Sequence, residues 1–377
     1  MMKKYISIIV ITLVLLNIPS ITLRTLSIGI SSPISYFTFL LLGILIITNN
    51  KKYPKNINFF AVIISLYYFI GMLNYDGDLF ILLINYIKSL LYVFGLFVCL
   101  KHVNMNTLLA ILIFGGTTII LDSLFFRFND FVGDGYISEY GRYAGFYLNP
   151  NTAGIICLLG YILFLTRNDK WRVLTILFTF FGILTLSRTF ILTWIISTII
   201  YLYYNRKDLI YSFLFITLGF FGLLSFSEAL KLDSVRFNFL TDLLIGNVNQ
   251  EVLNDDSRQA QWAKFYDGII DAPFFGHGYF SFSTSLYETG GQGVHNSFLL
   301  ILGESGLLPF LLIIILFGGL FYSSFRIIRE NCKPFILTIV LSMTCLVSHN
   351  LFDSGIIIFT FVLIISSFTE INNKYIL

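Results

Sequence analysis

Long apolar blocks separated by short polar segments dominate the sequence. Twelve such blocks can be bounded, at residues 5–23, 33–48, 57–73, 79–100, 106–125, 149–166, 171–186, 189–204, 209–227, 298–322, 335–349 and 355–370. As helices, blocks of roughly 15–25 residues approach or match the thickness of the hydrocarbon core of a bilayer. The pattern therefore predicts an all-α integral membrane protein, a polytopic bundle of about 12 transmembrane helices with one large hydrophilic loop containing short helices.

The overall composition excludes a soluble globule. Of the 377 residues, 56% are hydrophobic and only 12% are charged, about half the charged share that is usual in a soluble domain. Four cysteines share no metal-ligand spacing; three lie in apolar blocks and Cys332 lies in a short basic loop. We interpret them as small apolar fillers. Residues 1–20 resemble a signal peptide without a clear cleavage site, which favours an uncleaved first helix.

The distribution of basic residues predicts which side each loop faces. With a cytoplasmic N-terminus, the inside segments hold 15 of the 24 basic residues, the outside segments hold eight, and Lys88 lies within a span. The inside loops are also much shorter, so they have the high basic density that cytoplasmic loops show. We therefore expect both termini in the cytoplasm, with the large loop on the opposite side of the membrane.

Two outside segments are polar, and they divide the chain into four predicted parts. Residues 1–125 hold helices 1–5, residues 126–227 hold a loop and helices 6–9, residues 228–294 form the large loop, and residues 295–377 hold helices 10–12. In the large loop, Ser257–Ile270 carries apolar residues at helical spacing and predicts an amphipathic helix that lies on the membrane surface. The glycines and the proline of Asp271–Gly278 are expected to end it.

Ionisable residues at the outer membrane boundary are the candidates for chemistry, because placing them there is costly. They are Arg142, Arg188, Arg258 and His295. Guanidinium groups suit phosphate oxygens, and a histidine can exchange a proton near neutral pH. The four residues together therefore predict an anion site with one proton-transfer group.

Each of these residues also has a structural interpretation that remains open. Arg142 could reach lipid headgroups, Arg188 could cap a helix, and Arg258 could pair with Asp255 or Asp256. His295 with Asn296 could form the N-terminal cap of the next helix. Among the other polar residues, His277 is interpreted as a loop residue, His349 and Asn350 repeat the His-Asn pair, and Lys88 is expected to pair inside the bundle or to snorkel.

Four segments in a fixed order resemble the O-antigen ligase/polymerase superfamily of membrane glycosyltransferases. They are Tyr143–Gly154 (YAGFYLNPNTAG), Ser187–Thr189 (SRT), Ser257–Trp262 with Pro273 and Gly276–Gly278, and His295–Gly306 (HNSFLLILGESG). The resemblance covers mainly residues 140–310. It implies a multi-pass protein of the bacterial inner membrane with one large periplasmic loop. It also implies an enzyme that acts at the periplasmic face on glycans carried by undecaprenyl pyrophosphate.

The resemblance also implies a reaction and roles for particular residues. A hydroxyl of the acceptor attacks the anomeric carbon and displaces the lipid pyrophosphate with inversion, without a metal or other cofactor. Arg188 and Arg258 would hold the pyrophosphate, and His295 would orient or deprotonate the hydroxyl. The predicted substrate-binding residues are Arg142, Asn149, Asn151, Asn296 and Glu304, and Glu304 is also a second candidate for proton transfer. The sequence shows no pair of carboxylates in the arrangement that glycosidases need.

Within the family, the pattern around Leu148–Gly154 and Pro273–Gly278 favours a polymerase that joins lipid-linked repeat units. The alternative is the ligase, which transfers the finished chain to lipid A-core. A transporter would show matching inverted halves, whereas this chain concentrates its polar residues in one outer loop. The expected partners are an undecaprenyl-pyrophosphate-linked oligosaccharide, membrane lipids and, as a further candidate, a chain-length regulator protein. Nucleic acid is not expected as a partner.

Overall fold

A computed structural model of the protein describes residues 1–126, 142–167, 169–205, 258–283, 293–349 and 351–374. Within these ranges the chain is helical and contains no β-strand, which confirms the predicted all-α class. The predicted span 209–227, most of the two outer loops, and Asn350 lie outside the described residues.

Fifteen α-helices can be numbered in the described ranges. They are α1 (Met2–Leu15), α2 (Ile18–Thr25), α3 (Ile28–Ile47), α4 (Lys55–Gly71), α5 (Leu79–His102), α6 (Met105–Leu121), α7 (Pro150–Leu165), α8 (Thr175–Leu184), α9 (Arg188–Tyr204), α10 (Arg258–Ala263), α11 (Tyr266–Asp271), α12 (Ser297–Ser305), α13 (Leu307–Arg326), α14 (Lys333–Val347) and α15 (Gly355–Lys374).

Four of the described helices are long and apolar enough to cross a bilayer: α3, α5, α6 as extended to Leu124, and α13. Shorter apolar helices are α4, α7, α9, α14 and the Gly355–Phe368 part of α15. Together with the composition, these helices indicate a multi-pass membrane protein. The figure of about 12 crossings and the sidedness of the loops stay predictions.

Two predicted apolar blocks are each broken into two helices. Block 5–23 bends by 54° between α1 and α2, where Asn17 has a left-handed backbone with φ of 53° and Pro19 lies in the first turn of α2. Block 298–322 breaks at Gly306, whose φ is 78°. Apolar residues resume within a few positions after each break, so hydropathy averaged along the chain did not separate the two helices. Asparagine and glycine are the residues that adopt this conformation most readily.

The chain forms two compact units, and the first comprises Met1–Leu41, Cys99–Val248 and Ser324–Val340. Helix α7 lies at its centre, since every residue from Ala153 to Leu165 is buried, as expected of a helix that is apolar on all sides. Helices α6, α8 and α9 pack around it. The Tyr161 hydroxyl hydrogen-bonds the Thr198 hydroxyl at 2.6 Å and joins α7 to α9. This packing fixes the ends of α7 and α9.

The second unit comprises Leu42–Val98, Asn249–Ser323 and Leu341–Leu377. Helix α4 packs against α12 and α15, and the rings of Phe60 and Phe361 lie 4.3 Å apart at the α4–α15 contact. This unit contains the described part of the predicted outer loop together with the His295–Gly306 segment, so it holds the other half of the predicted site residues.

Candidate active site

In the first unit, helices α7 and α9 begin side by side. The Asn149 side chain caps α7 by accepting a hydrogen bond from the Asn151 amide at 2.8 Å. The Ser187 hydroxyl caps α9 by accepting from the Phe190 amide at 3.4 Å, and it donates to Asn151 Oδ1 at 2.9 Å. The two N-termini are therefore tied together. Helix N-termini carry partial positive charge and unpaired amides, and both attract anions.

Two predicted arginines lie at this end of the first unit. Arg142 donates from Nε to the Thr185 carbonyl at 3.4 Å and from Nη2 to Asn151 Oδ1 at 3.5 Å. Arg188 is the exposed first residue of α9. The structure thus brings Arg142, Asn149, Asn151 and Arg188 to the paired helix ends. Guanidinium groups beside helix N-termini are suited to hold phosphate oxygens.

The segment that carries Arg142 is fixed by a carboxylate that the sequence analysis missed. Buried Asp122 accepts hydrogen bonds from the amides of Ala144 and Gly145 at 3.0 and 2.9 Å. The Tyr143 amide donates to the Leu184 carbonyl at 3.2 Å. A lone acid near the end of the apolar block 106–125 was the available signal, because a carboxylate is costly there without a partner.

In the second unit, His295 lies in a strained turn that is fixed on both sides. Its φ is 45°, a left-handed value that is uncommon for residues other than glycine. On one side the Val294 amide donates to the Phe282 carbonyl at 3.1 Å. On the other, Asn296 Oδ1 caps α12 by accepting from the amides of Phe298 and Leu299 at 2.9 and 3.2 Å. Asn296 is therefore the helix cap, and its substrate contact stays a prediction.

The imidazole of His295 lies against a second histidine, His349, which follows the end of α14. Their Nδ1 atoms are 3.3 Å apart, and their ring centroids are 4.9 Å apart. Burial lowers the pKa of His349, which favours its neutral form. A hydrogen bond between two Nδ1 atoms needs one proton, so one ring donates and the other accepts. The repeated His-Asn pair was the signal in the sequence, but the contact between the rings was not predicted.

Glu304 is fully buried in the short helix α12, ahead of the candidate span α13. Its carboxylate accepts hydrogen bonds from the Tyr67 hydroxyl, from the Phe282 amide at 3.1 Å and from the Ser283 hydroxyl at 3.0 Å. Burial raises the pKa of Glu304 to about 7, against these hydrogen bonds, which lower it. The carboxylate thus holds the turn at 280–283 in place, and a direct contact of Glu304 with substrate stays a prediction.

The Gly-His-Gly segment packs its backbone directly on the Gly-Glu-Ser-Gly end of α12. The His277 amide donates to the Gly303 carbonyl at 2.8 Å, and the Gly278 amide donates to the Glu304 carbonyl at 3.1 Å. Gly276 has φ of 67°, and a Cβ there would meet the Glu304 carbonyl carbon. The structure therefore gives these glycines a packing role. His277 Nε2 lies 2.6 Å from the Gly268 carbonyl, in keeping with its interpretation as a loop residue.

The predicted amphipathic helix of the outer loop is two short helices. Helix α10 begins at Arg258, and α11 ends at Asp271, where the sequence predicted a break. Between them, Phe265 turns inward and packs on the Phe282 ring, with centroids 5.4 Å apart. Burial of that ring explains the bend. The role of Arg258 in binding stays a prediction.

The comparisons with known proteins bear on the part of the chain that holds these residues. Residues 173–314 match the family model described as O-Antigen ligase, a range that includes Arg188, Arg258, His295, Asn296 and Glu304. No curated protein sequence gives a significant match. Members of the matched family are membrane glycosyltransferase-like enzymes that act on lipid-linked glycans. Over residues 173–314 the match confirms the resemblance to the O-antigen ligase/polymerase superfamily that was drawn from the four ordered segments.

Proposed function

We propose that the chain is an O-antigen polymerase that joins undecaprenyl-pyrophosphate-linked repeat units at the periplasmic face of the inner membrane. The donor gives up its glycan at the anomeric carbon, and the acceptor is a hydroxyl of a second lipid-linked unit. The new glycosidic bond forms as the bond to pyrophosphate breaks. The lipid pyrophosphate leaves with the bonding electron pair, and the proton of the hydroxyl passes to a base.

The paired N-termini of α7 and α9 are the observation that carries this proposal. They place two helix N-termini beside Arg142 and Arg188. Negative charge grows on the pyrophosphate as the glycosidic bond breaks, and fixed positive charges placed in advance lower the energy of that state. Pyrophosphate is already a good leaving group, so positioning and charge stabilisation can carry the transfer.

His295 is the proposed base. For its Nε2 to accept the proton of the acceptor hydroxyl, its own proton must sit on Nδ1. The contact with His349 Nδ1 at 3.3 Å offers an acceptor for that proton. In this role His349 sets the tautomer and the orientation of His295, as a carboxylate does for other catalytic histidines. Arg258, at the start of α10, is proposed as the second ligand of the pyrophosphate.

A ligase is the second candidate function, and the description of the matched family as O-antigen ligase favours it. The two functions use the same donor and differ in the acceptor. Deletion of the gene separates them on a gel of surface polysaccharide. Loss of a polymerase leaves core carrying a single repeat, whereas loss of a ligase leaves bare core with chains retained on the carrier lipid. An unchanged polysaccharide pattern would contradict both functions.

Arginine variants test the pyrophosphate site directly. We expect Arg188→Ala and Arg258→Ala to abolish chain formation at normal membrane abundance. Arg188→Lys should recover part of the activity, because lysine keeps the charge but loses the bidentate fork. Arg329 is an exposed arginine in the last segment of the first unit, outside the candidate site. Arg329→Ala is therefore the matched control, and it should retain activity. Full activity of the Arg188→Ala variant would contradict the proposed anion site.

A further inference from the structure

The turn that follows α11 exposes large apolar side chains. Ile270 is 71% exposed, Phe274 is 67% exposed and Phe275 is 59% exposed. They occur within six residues of one another, and we call them the apolar tip. Clusters of this kind on a protein surface mark sites of contact with a membrane or another molecule.

The backbone of the same turn is fastened to the first residue of the candidate span α13. The Leu307 amide donates to the Pro273 carbonyl at 2.9 Å. Gly306 adopts φ of 78°, and a Cβ at that position would meet the carbonyl group of Phe274. Phe274 and Phe275 therefore lie at the level at which α13 begins.

Helix α13 itself presents an apolar surface that continues from this level. Its 20 residues pass the length and hydropathy test for a span, and large apolar side chains along it are exposed: Leu307, Leu308, Leu311, Ile314 and Ile315. A membrane helix with such a surface faces lipid. The apolar tip is thus continuous with a surface that already requires a bilayer.

Charged residues precede the apolar tip in the chain. Lys264 lies between α10 and α11, and Asp267 lies in the first turn of α11; both are exposed. On α11, Tyr266 and Ile270 share one helix face, while Asp267 and Asp271 share the neighbouring one. A short element with one apolar face and one charged face is suited to the boundary between headgroups and acyl chains.

We propose that Ile270, Phe274 and Phe275 insert into the bilayer leaflet at the N-terminal end of α13. The ligand is the phospholipid interface, and the expected depth is about 5–10 Å, as for other interfacial elements. This contact goes beyond the proposed transferase function, since it concerns lipid that is not substrate.

Insertion would hold the loop helices at a fixed height above the headgroups. Helix α11 is linked to the Gly-His-Gly segment through the 2.6 Å contact of His277 with Gly268, and Phe265 packs on Phe282. The turn containing Phe282 is bonded to Glu304. The apolar tip is therefore connected to the turn next to His295. Helix α10, which begins at Arg258, precedes the apolar tip in the chain.

Site-directed spin labelling of the full chain tests the insertion. All four native cysteines are buried, so an added exposed thiol is the reactive one, and the unsubstituted chain labelled in parallel is the blank. The chain is reconstituted in nanodiscs of phosphatidylcholine and phosphatidylglycerol. Accessibility of each label to oxygen, which enters the bilayer, is compared with accessibility to a water-soluble nickel complex. The labelled variants are Ile270→Cys, Phe274→Cys, Phe275→Cys, Asp267→Cys and Ile315→Cys.

Labels on the apolar tip are expected to favour oxygen over the nickel complex. The matched control at Asp267, on the same short helix, should favour the nickel complex. Ile315, two turns into α13, should favour oxygen more strongly than the tip does.

Equal accessibility ratios at Phe275 and Asp267 would overturn the proposal. Low accessibility to both reagents at Phe274 and Phe275 would also overturn it, because it would show that a second copy or another protein covers the tip. The measurement needs no glycan, so its failure is distinguishable from a failure of the proposed function.

Discussion

The two units hold their candidate residues by different physical means. In the first unit, side-chain hydrogen bonds position the candidate residues: Asn149 and Ser187 cap two helices, and Asn151 joins Ser187 to Arg142. In the second unit, backbone contacts position most of the candidate residues, through the packing of Gly276 and Gly278 on α12 and through the left-handed turn at His295.

This difference follows from what each group has to do. A pyrophosphate is large and highly charged, and helix ends with guanidinium groups beside them can bind it in slightly different positions. A base must meet one proton at one position, where a small displacement costs rate. Strain of the kind seen at His295 persists only where the surroundings fix the backbone. The second unit is therefore the part expected to tolerate substitution least.

Replacement of His295 should have the largest effect on activity. We expect His295→Ala to lower the rate of chain formation about 10²–10⁴-fold, the usual contribution of a general base, while membrane abundance stays normal. The measurement is turnover of purified enzyme with a lipid-linked donor.

His277→Ala is the matched control, because His277 contacts the Gly268 carbonyl and stacks on Phe282. We expect it to retain turnover within a few-fold of the unsubstituted enzyme. If His295→Ala retained turnover and His277→Ala lost it, the proposed base would be wrong.

A negative charge at the cap of α9 should weaken binding of the donor in the first unit. Ser187→Asp keeps a capping side chain, since aspartate is as good a cap as serine, but it adds an anion beside the paired helix ends. Repulsion of about 1–4 kcal/mol at contact distance should weaken donor binding about five-fold or more. Ser187 is buried and its hydroxyl donates to Asn151 Oδ1, so the carboxylate should also lower the unfolding temperature, which thermal scanning measures separately.

Ser187→Asn is the neutral comparison, because asparagine caps as well and adds no charge. The KM for the donor is expected to rise in the Asp variant and to stay near its original value in the Asn variant. Equal KM values in the two variants would count against an anion site at this end of the unit.

The sequence predicted the helices well and the site only in part. Apolar blocks carry the helix signal locally, so α3 to α9 appear close to their predicted bounds. The breaks at Asn17 and Gly306 were missed because apolar residues resume within a few positions after each. Arg142 and Arg188 could be assigned to the same membrane boundary because Arg142 precedes one apolar block and Arg188 lies in the short turn between two others.

Contacts between distant segments left no local pattern in the sequence. Glu304 is held to Tyr67 and Phe282, and Tyr67 lies more than two hundred positions away in the chain. The sequence around Glu304 therefore could not show whether its carboxylate is a buried structural group or a contact with substrate. The contact of His295 with His349 likewise joins segments that are more than fifty positions apart in the chain.

Loss of the Glu304 carboxylate should destabilise the second unit. Glu304→Ala leaves buried donors without an acceptor, at about 1–3 kcal/mol for each unsatisfied group. We expect a lower unfolding temperature in detergent by thermal scanning. Glu304→Gln keeps acceptor oxygen near Phe282 and Ser283, so it should retain most of the stability. Equal unfolding temperatures for the two variants would contradict the scaffold role.

The unsubstituted protein and the Glu304→Gln variant together test the pKa of Glu304. Because burial raises this pKa from 4.5 to about 7, the folded state binds more protons than the unfolded state between these values. Its stabilising contribution is complete below pH 4.5 and is lost as the pH rises through 7. The unsubstituted protein should therefore lose stability over this window relative to Glu304→Gln, whose side chain does not titrate.

The smallest expected effect, and the most specific one, comes from His349. His349→Gln can still accept the Nδ1 proton of His295, whereas His349→Leu cannot, and a single hydrogen bond contributes about 1 kcal/mol. We expect roughly a five-fold lower turnover in the Leu variant than in the Gln variant. The chain has four histidines, so ¹⁵N spectra of imidazole-labelled protein can assign His295 by comparison with a His295→Ala sample. His295 should carry its proton on Nδ1 in the original and Gln chains and shift towards Nε2 in the Leu chain. An Nε2-protonated His295 in the original chain would leave no lone pair for the acceptor hydroxyl, and His295 could then orient that hydroxyl but not deprotonate it.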